Sequence, residues 1–327
     1  MTSPKVTVCC LSYNHEKYIR ETIDSILTQE YTGEIEIVIF DDHSTDSSRS
    51  IADEYSSRES KIRTISAKEN IYSKGFTPLF NLVEEASGEY IFFCECDDYW
   101  NDIYKISKQV DALEKNKEYN IAFHPAFTLN DKVNDFKYGY NGNIKKVIDA
   151  KECIAKNGPL MPLASIAVRS ETLKNLWLSR PDFFMRNAWH SVVQMSSVVP
   201  NGAIYLPDYM STYRSMHDGS WSLKQKNDKE QYLNNFISYS KRIKFFREIY
   251  QNSIKERGHK NPFYLAISER AVFLILTRGI KSSKKFEALK LAGLSYNEIL
   301  KICIRSTIKA SSIVFRKIGA WFGIKSL

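Results

Sequence analysis

The sequence predicts an α/β fold: a mainly parallel, mixed sheet flanked by helices and followed by a C-terminal helical extension. Two observations carry this prediction. Strand-like and helix-like segments alternate through the first hundred residues, which is the pattern of βαβ units in a parallel sheet. After Trp221 the composition changes to long helical patterns rich in Lys and aromatic residues. The 327 residues, 43% of them hydrophobic, suffice for one large domain and an appendage.

The first hundred residues hold predicted strands and helices in regular alternation. The strands are KVTVCCLS, EIEIVIFDD, KIRTISA and EYIFFCE. The first helix, in HEKYIRETIDSILTQ, places Ile19, Ile23 and Ile26 at helical spacing. The second helix follows the capping residues of STDSSRSIADEYSS, and the third, in TPLFNLVEEASG, is closed by Gly88. Ligands of such sheets bind outside the carboxyl ends of the strands, which here read LSYN, FDDHSTD and ECDDYW.

The middle of the chain, from about Asp102 to Ser222, gives weaker signals. KISKQVDALEKNK predicts an amphipathic helix, and IAFHPAFTL, ASIAVRS and AIYLPDYMSTYR predict strands. We therefore expect one domain over residues 1–222 and a helical basic region over residues 223–327.

The net charge of +8 resides in the tail. From Lys281 onward there are ten Lys and Arg residues and two Glu residues, so the charges of the preceding part balance. Between Glu298 and Arg316 the polar residues form a narrow helical stripe opposite a wide apolar face, with Trp321 and Phe322 following. Such a helix either packs into a core or lies on an anionic membrane surface. Nucleic acid is not an expected partner, because the basic residues alternate with Ile rather than with exposed stacking residues.

The sequence favours a cytoplasmic location. The N-terminal residues show no signal peptide, and no apolar run reaches the length of a spanning helix. Six cysteines are scattered through strand-like runs, which is typical of reduced, buried thiols. Cys94 and Cys96 have no second pair and no nearby histidine, so we do not expect a zinc site.

Carboxylates crowd the end of the strand EYIFFCE. Glu95, Asp97 and Asp98 follow it directly, and a second acidic pair ends the strand EIEIVIFDD. A single acidic pair is equally compatible with a solvated loop. Two pairs at consecutive strand ends favour a Mg²⁺ or Mn²⁺ site in which phosphate oxygens complete the coordination. Such a metal would neutralise a diphosphate as it becomes a leaving group.

Three segments in this order resemble the family 2 glycosyltransferases, inverting enzymes with the GT-A fold that make bacterial surface polysaccharides. They are VTVCCLSYNHEKYIRETIDSILTQ, EIVIFDDHSTDSS and ASGEYIFFCECDDYW. The resemblance implies a nucleotide-diphosphate sugar donor, with UDP favoured, and a glycan or lipid-linked acceptor hydroxyl. It divides the first domain into a donor half, residues 1–100, and an acceptor half, residues 101–222. A lipid-linked acceptor would agree with a tail on the inner face of the cell membrane.

The resemblance also assigns residues to the donor. Leu11, Ser12 and Tyr13 would lie along the base and ribose, and Asp41 or Asp42 would hydrogen-bond the base edge. These five residues follow the first two strands.

The segment ECDD stands where the family has its Asp-x-Asp motif. Glu95 would face the ribose or a water on the metal, Asp97 would ligate the metal, and Asp98 would support it. Lys74 would contact the diphosphate, although a lone lysine before glycine is also typical of a solvated loop.

The later segment STYRSMHDGSWS resembles a second family motif. There His217 would complete the metal shell or touch the diphosphate, and Arg214 would help to position the diphosphate. A surface histidine is the alternative for His217.

The catalytic base is where the sequence departs from the family. The segment NAW replaces Gly-Asp-Trp, so that Ala188 stands where the base aspartate is expected. Alanine cannot accept the proton of the attacking hydroxyl. Three explanations remain open: an aspartate has been replaced, another residue such as His190 or Asp182 is the base, or the alignment is shifted here.

Two other functions remain open from sequence. A nucleotidyltransferase-like enzyme would share the α/β sheet, but the segment CCLSYNHE lacks the glycine-rich phosphate loop of that class. A catalytically inactive protein that binds nucleotide sugars would explain Ala188.

Overall fold

The computed structural model describes residues 3–129, 137–215, 217, 228–254, 261–276 and 280–304. The chain divides into two compact units, Met1–Ser220 and Trp221–Leu327.

The first unit contains eleven strands and eight helices among its described residues. The strands are β1 (Val6–Ser12), β2 (Ile35–Asp41), β3 (Ile62–Ser66), β4 (Tyr90–Phe93), β5 (Tyr99–Trp100), β6 (Ile121–Phe123), β7 (Ala126–Leu129), β8 (Lys146–Ile148), β9 (Ala167–Arg169), β10 (Ala203–Tyr205) and β11 (Ser211–Arg214). The helices are α1 (Ile19–Leu27), α2 (Ser48–Arg58), α3 (Pro78–Glu85), α4 (Lys105–Glu114), α5 (Ala150–Ala155), α6 (Ser170–Ser179), α7 (Pro181–Asn187) and α8 (His190–Ser197).

A central sheet and a small sheet organise this unit. The central sheet has the order β3-β2-β1-β4-β9-β6-β10-β8, in which β3, β2, β1 and β4 run parallel and β9 pairs antiparallel with both of its neighbours. The small sheet has the order β5-β11-β7. The predicted α/β fold with a mainly parallel, mixed sheet flanked by helices is confirmed.

The inner strands form where the sequence offers continuous apolar runs. β1 and β4 are almost entirely buried, as expected for parallel strands covered on both faces. On α1, Ile19, Ile23 and Ile26 are buried in the same core, which explains the helical spacing seen in the sequence.

Gly88 has a different role from the predicted helix closure. α3 already ends at Glu85. A Cβ on Gly88 would lie 2.5 Å from the backbone nitrogen of Thr7, and the Gly88 N–H donates to the Thr7 hydroxyl at 2.8 Å. Glycine is therefore required because the chain passes directly against β1.

Two segments predicted as single strands each form two strands in different sheets. IAFHPAFTL gives β6 in the central sheet and β7 in the small one, with Pro125 between them. AIYLPDYMSTYR gives β10 and β11, with Pro207 between them. Proline has no backbone N–H to donate to a sheet, so each strand ends before it and the chain changes sheet.

A lysine is buried beneath the small sheet's first strand. Lys105 is fully buried, and its Nζ donates to Gln109 Oε1 at 2.9 Å. The same Nζ lies 4.0 Å from the ring centre of Trp100 and 4.7 Å from that of Phe92. Burial lowers the pKa of Lys105 to about 7.

The second unit is helical in its described part. Its helices are α9 (Lys229–Tyr250), α10 (Pro262–Leu276) and α11 (Ser282–Leu291), followed by helical residues 296–304. In the last of these, Ile299 and Ile302 are buried whereas Leu300 and Ile304 are exposed. The remainder of the predicted amphipathic stripe, residues 305–316, lies outside the described residues. No helix within the described ranges is long and apolar enough to cross a membrane.

The six cysteines are all free thiols, as predicted, and only Cys303 is partly exposed.

Candidate active site

The carboxyl ends of β1, β2 and β4 lie side by side and carry the residues predicted for the donor. Backbone hydrogen bonds hold the three ends together: Asp42 N–H donates to the Ser12 carbonyl at 2.9 Å, and Cys96 N–H donates to the Leu11 carbonyl at 2.9 Å. The sheet therefore brings Leu11, Ser12 and Asp42 next to the segment that begins at Glu95.

Asp97 lies between two histidines. Its Oδ2 is 3.1 Å from His217 Nε2 and 3.9 Å from His15 Nε2. Burial alone would raise the pKa of Asp97, but the His217 hydrogen bond and the nearby imidazoles lower it below its usual value. Asp97 is therefore kept ionised in a place that disfavours charge.

Glu95 and Asp98 behave in the opposite way. Burial, together with the charge of Asp97, raises the pKa of Glu95 to about 8. Burial and the charges of Asp97 and Glu95 raise the pKa of Asp98 well above its usual range. Asp98 Oδ1 accepts a hydrogen bond from the Arg214 backbone N–H at 2.9 Å, which ties β11 to the acidic segment. We call Glu95, Asp97 and Asp98 the acidic cluster.

Arg214, which is predicted to position the diphosphate, contacts two acidic residues of the protein. Its Nη1 donates to the Asp97 carbonyl at 2.8 Å, and its Nη2 forms an ion pair with Glu21. Its guanidinium lies between the rings of Tyr18 and Tyr99, at 4.9 and 4.7 Å from their centres. In this arrangement Arg214 orients the backbone that presents Asp97.

The two aspartates at the end of β2, Asp41 and Asp42, make different contacts. Asp41 is fully buried and accepts hydrogen bonds from the backbone and the hydroxyl of Ser44, at 3.0 and 2.5 Å. Asp42 accepts from the backbone N–H groups of Ile71 and Tyr72, at 2.8 and 3.1 Å. Burial raises the pKa of Asp42, although these backbone bonds oppose the shift. Asp42 thus orders the turn that follows β3.

The other predicted donor residues differ in accessibility. Tyr13 is exposed, and the hydroxyl of Ser12 is buried without a hydrogen-bond partner in the described part of the chain. Lys74 forms an ion pair with Glu69 at 2.5 Å on the surface. The solvated alternative for Lys74 therefore describes its state in this structure.

The segment around Ala188 packs against the turn that Asp42 orders. The ring of Trp189 meets the ring of Tyr72 edge-on, with 5.5 Å between centres. Ala188 is buried at the end of α7, and its N–H donates to the Phe184 carbonyl at 2.9 Å and to the Thr77 hydroxyl at 3.2 Å. The departure from the family motif at Ala188 therefore lies next to the turn at Tyr72, which Asp42 holds.

His190 and Asp182, the two alternatives for the base, lie on either side of Ala188 in the sequence and differ in their contacts. His190 Nε2 bonds the Met161 carbonyl and lies 2.7 Å from Gln194 Nε2. Asp182 is exposed in the first turn of α7, whereas Ala188 follows the last.

The acidic cluster and His217 offer some, but not all, of the ligands that a divalent metal needs. Within the described ranges no group of three or more His, Cys, Asp or Glu side chains is arranged to hold a metal by itself. Asp97 and His217 nevertheless offer an oxygen and a nitrogen ligand within 3.1 Å of each other. Mg²⁺ and Mn²⁺ accept such ligands and commonly take the remaining ones from phosphates and water.

His15 is the site residue that the sequence did not single out. It follows β1, and its Nδ1 is buried without a hydrogen-bond partner among the described residues. Burial would lower the pKa of His15, but contacts with Cys96 and Asp97 raise it. A histidine within the strand-end segment SYNHE was the available signal.

Comparison with known proteins agrees with this site. A family model described as Glycosyl transferase family 2 matches residues 7–169, a range that includes β1, β2, β4 and the acidic cluster. An uncharacterized protein of Mycobacterium tuberculosis is 39% identical over 122 residues, which make up 37% of this chain and 34% of that protein. The putative teichuronic acid biosynthesis glycosyltransferase TuaG of Bacillus subtilis is 33% identical over 126 residues, 38% of this chain and 46% of the relative. The aligned part thus spans less than half the length of either relative.

A solved structure shares the fold over most of the chain. S. aureus TarS in complex with UDP-GlcNAc superimposes with a TM-score of 0.65 at 18% identity, covering 87% of this chain and 79% of that one. At this level of identity the likeness shows the fold alone.

Proposed function

We propose a reaction for this chain from the premise that it belongs to glycosyltransferase family 2, in bacterial polysaccharide synthesis: it moves a sugar from UDP to an acceptor hydroxyl with inversion at the anomeric carbon. The solved relative that binds UDP-GlcNAc supports UDP as the nucleotide.

One observation carries the proposal. Asp97 is held ionised between His217 and His15 at the end of β4, while its neighbours Glu95 and Asp98 are shifted toward their protonated forms. A bound divalent cation would relieve the repulsion among these carboxylates, so the acidic cluster is destabilising to the fold unless it serves a ligand.

In the proposed transfer reaction, individual residues of the chain would have the following roles. Asp97 and His217 would hold Mn²⁺ or Mg²⁺, which when bound neutralises the charge that develops on the leaving diphosphate. Tyr13 and Ser12 would line the base and ribose. Asp42 would fix the turn at Ile71 and Tyr72 that closes the nucleotide side. Arg214 would keep the backbone of Asp97 in place.

The base position is the weak point of the reaction. Ala188 cannot take the acceptor proton, so we expect the protein with alanine at this position to transfer the sugar slowly. Ala188→Asp should raise the transfer rate by about 100-fold or more if the position is that of the missing base. Ala188→Asn is the matched control, because asparagine has the size of aspartate but no group that can act as a base. Equal rates in both variants and the parent would place the base elsewhere.

Thermal unfolding with nucleotides tests the proposal. UDP with Mn²⁺ should raise the melting temperature more than UDP alone, because a ligand that binds only the folded state stabilises it. Asp97→Asn should abolish the metal-dependent part, whereas Asp53→Asn on the surface of α2 should leave it intact. No metal-dependent shift with any nucleoside diphosphate would reject the proposed function.

Ala188 also supports a second candidate, a nucleotide-sugar-binding protein without catalysis. The two candidates separate on donor hydrolysis. If UDP-sugars bind but neither the parent nor Ala188→Asp hydrolyses or transfers them, the chain is a binding protein.

The basic tail supports a peripheral position on the inner face of the cell membrane. Ten Lys and Arg residues follow residue 280, and such clusters are attracted to anionic lipid. Flotation with vesicles that contain phosphatidylglycerol should recover the protein, and equal recovery with neutral vesicles would reject the attraction.

A further inference from the structure

The last described helix of the second unit is apolar on two sides. On one side Ile299 and Ile302 are buried. On the other side Tyr296, Leu300 and Ile304 recur at every fourth residue and are 74%, 56% and 53% exposed. Residues four apart lie one above the other on a helix, so these three side chains form a continuous row that faces away from the buried isoleucines. We call this row the apolar stripe.

The apolar stripe continues onto the preceding helix. The ring of Phe286 on α11 meets the ring of Tyr296 edge-on, with 5.8 Å between their centres. Exposed apolar residues that occur singly are normal on a protein surface. A contiguous group that spans two joined helices instead indicates a surface that contacts something outside the unit.

A short turn fixes the two helices against each other. The chain leaves α11 through Gly293, which has a left-handed φ of 77° and whose N–H donates to the Lys290 carbonyl at 2.8 Å. The last helix begins with a capping box, in which the N–H and the hydroxyl of Ser295 donate to the Glu298 carboxylate at 2.8 and 2.6 Å. Leu294 is buried between these two caps. A defined pair of helices therefore carries the apolar stripe.

Two lysines border the apolar stripe. Lys290 is exposed, and its Nζ lies 4.9 Å from the ring centre of Phe286, the ring that touches Tyr296. Lys301 is exposed and precedes Ile304 by three residues, which makes their side chains neighbours on the helix surface. An apolar face with a cationic rim is typical of helices that lie on anionic lipid.

We propose that the apolar stripe inserts into the headgroup region of a membrane that contains anionic lipid, with Lys290 and Lys301 at the lipid phosphates. This inference rests on the peripheral position proposed above and deepens it. There the basic tail supplies attraction, whereas here the stripe supplies the apolar contact that holds the protein at the interface. Insertion removes the exposed side chains from water, and the hydroxyl of Tyr296 stays hydrated at the headgroup level.

Charge favours lipid over a cover made of protein from the same chain. The charged residues that follow the last described helix are all basic: Arg305, Lys309, Arg316, Lys317 and Lys325. If this segment folded back over the apolar stripe, it would bring like charges to Lys290 and Lys301. A second copy in a symmetric dimer would place the same two lysines close to their equivalents. Anionic lipid phosphates have the opposite charge.

Flotation of the full chain with vesicles of phosphatidylglycerol and phosphatidylcholine tests the proposal. Salt at about 1 M screens the attraction of the basic residues but not the apolar contact, so we expect part of the binding to persist there. The double variant Leu300→Gln, Ile304→Gln keeps every charge and should weaken this salt-resistant binding by about tenfold or more. The double variant Ile144→Gln, Leu178→Gln, which changes two exposed apolar residues of the first unit, should leave it unchanged.

The bordering lysines have their own test. The double variant Lys290→Gln, Lys301→Gln should weaken binding at low salt by about tenfold, because each lysine near an anionic surface adds to the attraction. The salt-resistant binding should remain. Unchanged binding of this variant at low salt would contradict the position of the two lysines at the lipid phosphates.

An indole placed in the apolar stripe reports its surroundings. Tyr296→Trp adds a tryptophan at the most exposed position of the stripe. Relative to the parent, the added emission should be that of a hydrated indole in solution. It should move to shorter wavelength with vesicles and be quenched by brominated lipid. Emission typical of a buried indole before vesicles are added would show that the chain itself covers the stripe, and would overturn the proposal.

The remaining outcomes separate the apolar stripe from the basic tail and from the donor site. Loss of all parent binding at high salt, or equal salt-resistant binding by the parent and the Leu300→Gln, Ile304→Gln variant, overturns the insertion. A dimer in sedimentation that this variant dissociates would assign the stripe to a second copy and also overturn it. Low-salt flotation of the same variant reports the basic tail, and stabilisation by UDP with Mn²⁺ on the same samples reports the donor site. Failure of the stripe is thereby distinguished from failure of the proposed function.

Discussion

Asp97 and Lys105 lie eight residues apart in the sequence, and both carry an ionisable group into the first unit. Asp97 has imidazoles at 3.1 and 3.9 Å, and its pKa falls below the usual value despite burial. Lys105 has an amide oxygen and two aromatic rings, and burial lowers its pKa to about 7.

The difference separates the proposed ligand site from a structural position. Partners of opposite charge keep Asp97 ionised, so that it can bind a cation. Among the described residues Lys105 forms no ion pair with a carboxylate, and burial outweighs the opposing charge of Asp102, so near neutral pH the interior position of Lys105 favours loss of the proton. Asp97 thus stays charged inside the first unit, whereas the lowered pKa of Lys105 favours its neutral form.

The largest effect is expected when the support of the acidic cluster is removed. Arg214→Gln loses the bond to the Asp97 carbonyl, the ion pair with Glu21 and the contacts with two tyrosine rings. We expect a loss of about 3 kcal/mol in the free energy of unfolding, with loss of metal-dependent UDP binding. Urea unfolding and calorimetry measure the two quantities.

Arg214→Lys is the control for charge. Lysine keeps the positive charge but lacks the planar fork that reaches two acceptors, so we expect it to recover only part of the stability. Full recovery by lysine would show that charge alone supports the cluster.

A pH series tests the neutral state of Lys105. Folding lowers its pKa from 10.5 to about 7, so between these values the unfolded chain binds more protons than the folded one. The free energy of unfolding should therefore rise with pH in this window, by about 3 kcal/mol between pH 7 and pH 10. Lys105→Met should remove this rise, whereas Lys115→Met, which changes an exposed lysine next to the same helix, should retain it. Parallel curves for the parent and Lys105→Met in urea unfolding would contradict the shift.

The smallest effect separates the two histidines beside Asp97. His217 is closer than His15, so His217→Gln should weaken Mn²⁺ binding in the presence of UDP by about tenfold and His15→Gln by about threefold. Titration calorimetry gives both affinities. The reverse order would make His15 the main partner of Asp97.

The sequence was sufficient to predict the strands whose carboxyl ends carry the candidate site. β1, β2 and β4 are apolar over most of their length because they are buried between helices, and such runs are visible without any knowledge of contacts. The helix α1 was predictable because one of its faces is buried at every third or fourth residue.

In the later part of the first unit the strand segments were predicted, but their division between two sheets and their pairing were not. Its strands β6, β9 and β10 have three residues each, too few for a periodic pattern. β9 pairs with β4 through residues such as Ile91 and Val168, which are far apart in the chain. Local patterns carry no information on such pairings.

The site was predicted in part. The acidic cluster followed from its position at a strand end, and the place of His217 beside Asp97 agrees with the family resemblance. The contacts of Arg214 could not be predicted from sequence, because its partners Glu21 and Asp97 come from distant segments. His15 was missed because a single histidine after a strand has no pattern of its own.

β5 pairs with β11, and the hydrogen bond between Asp98 and the Arg214 backbone strengthens this pairing. The two strands therefore hold together the ends of the long segment between them. Residues 101–210 leave and return at neighbouring points, so insertions between them need not displace Asp97 from His217. Within residues 101–210, β6, β8, β9 and β10 belong to the central sheet, whereas no strand lies between Tyr138 and Lys146. This segment is accordingly a place where an engineer could graft a new loop while keeping the acidic cluster in position.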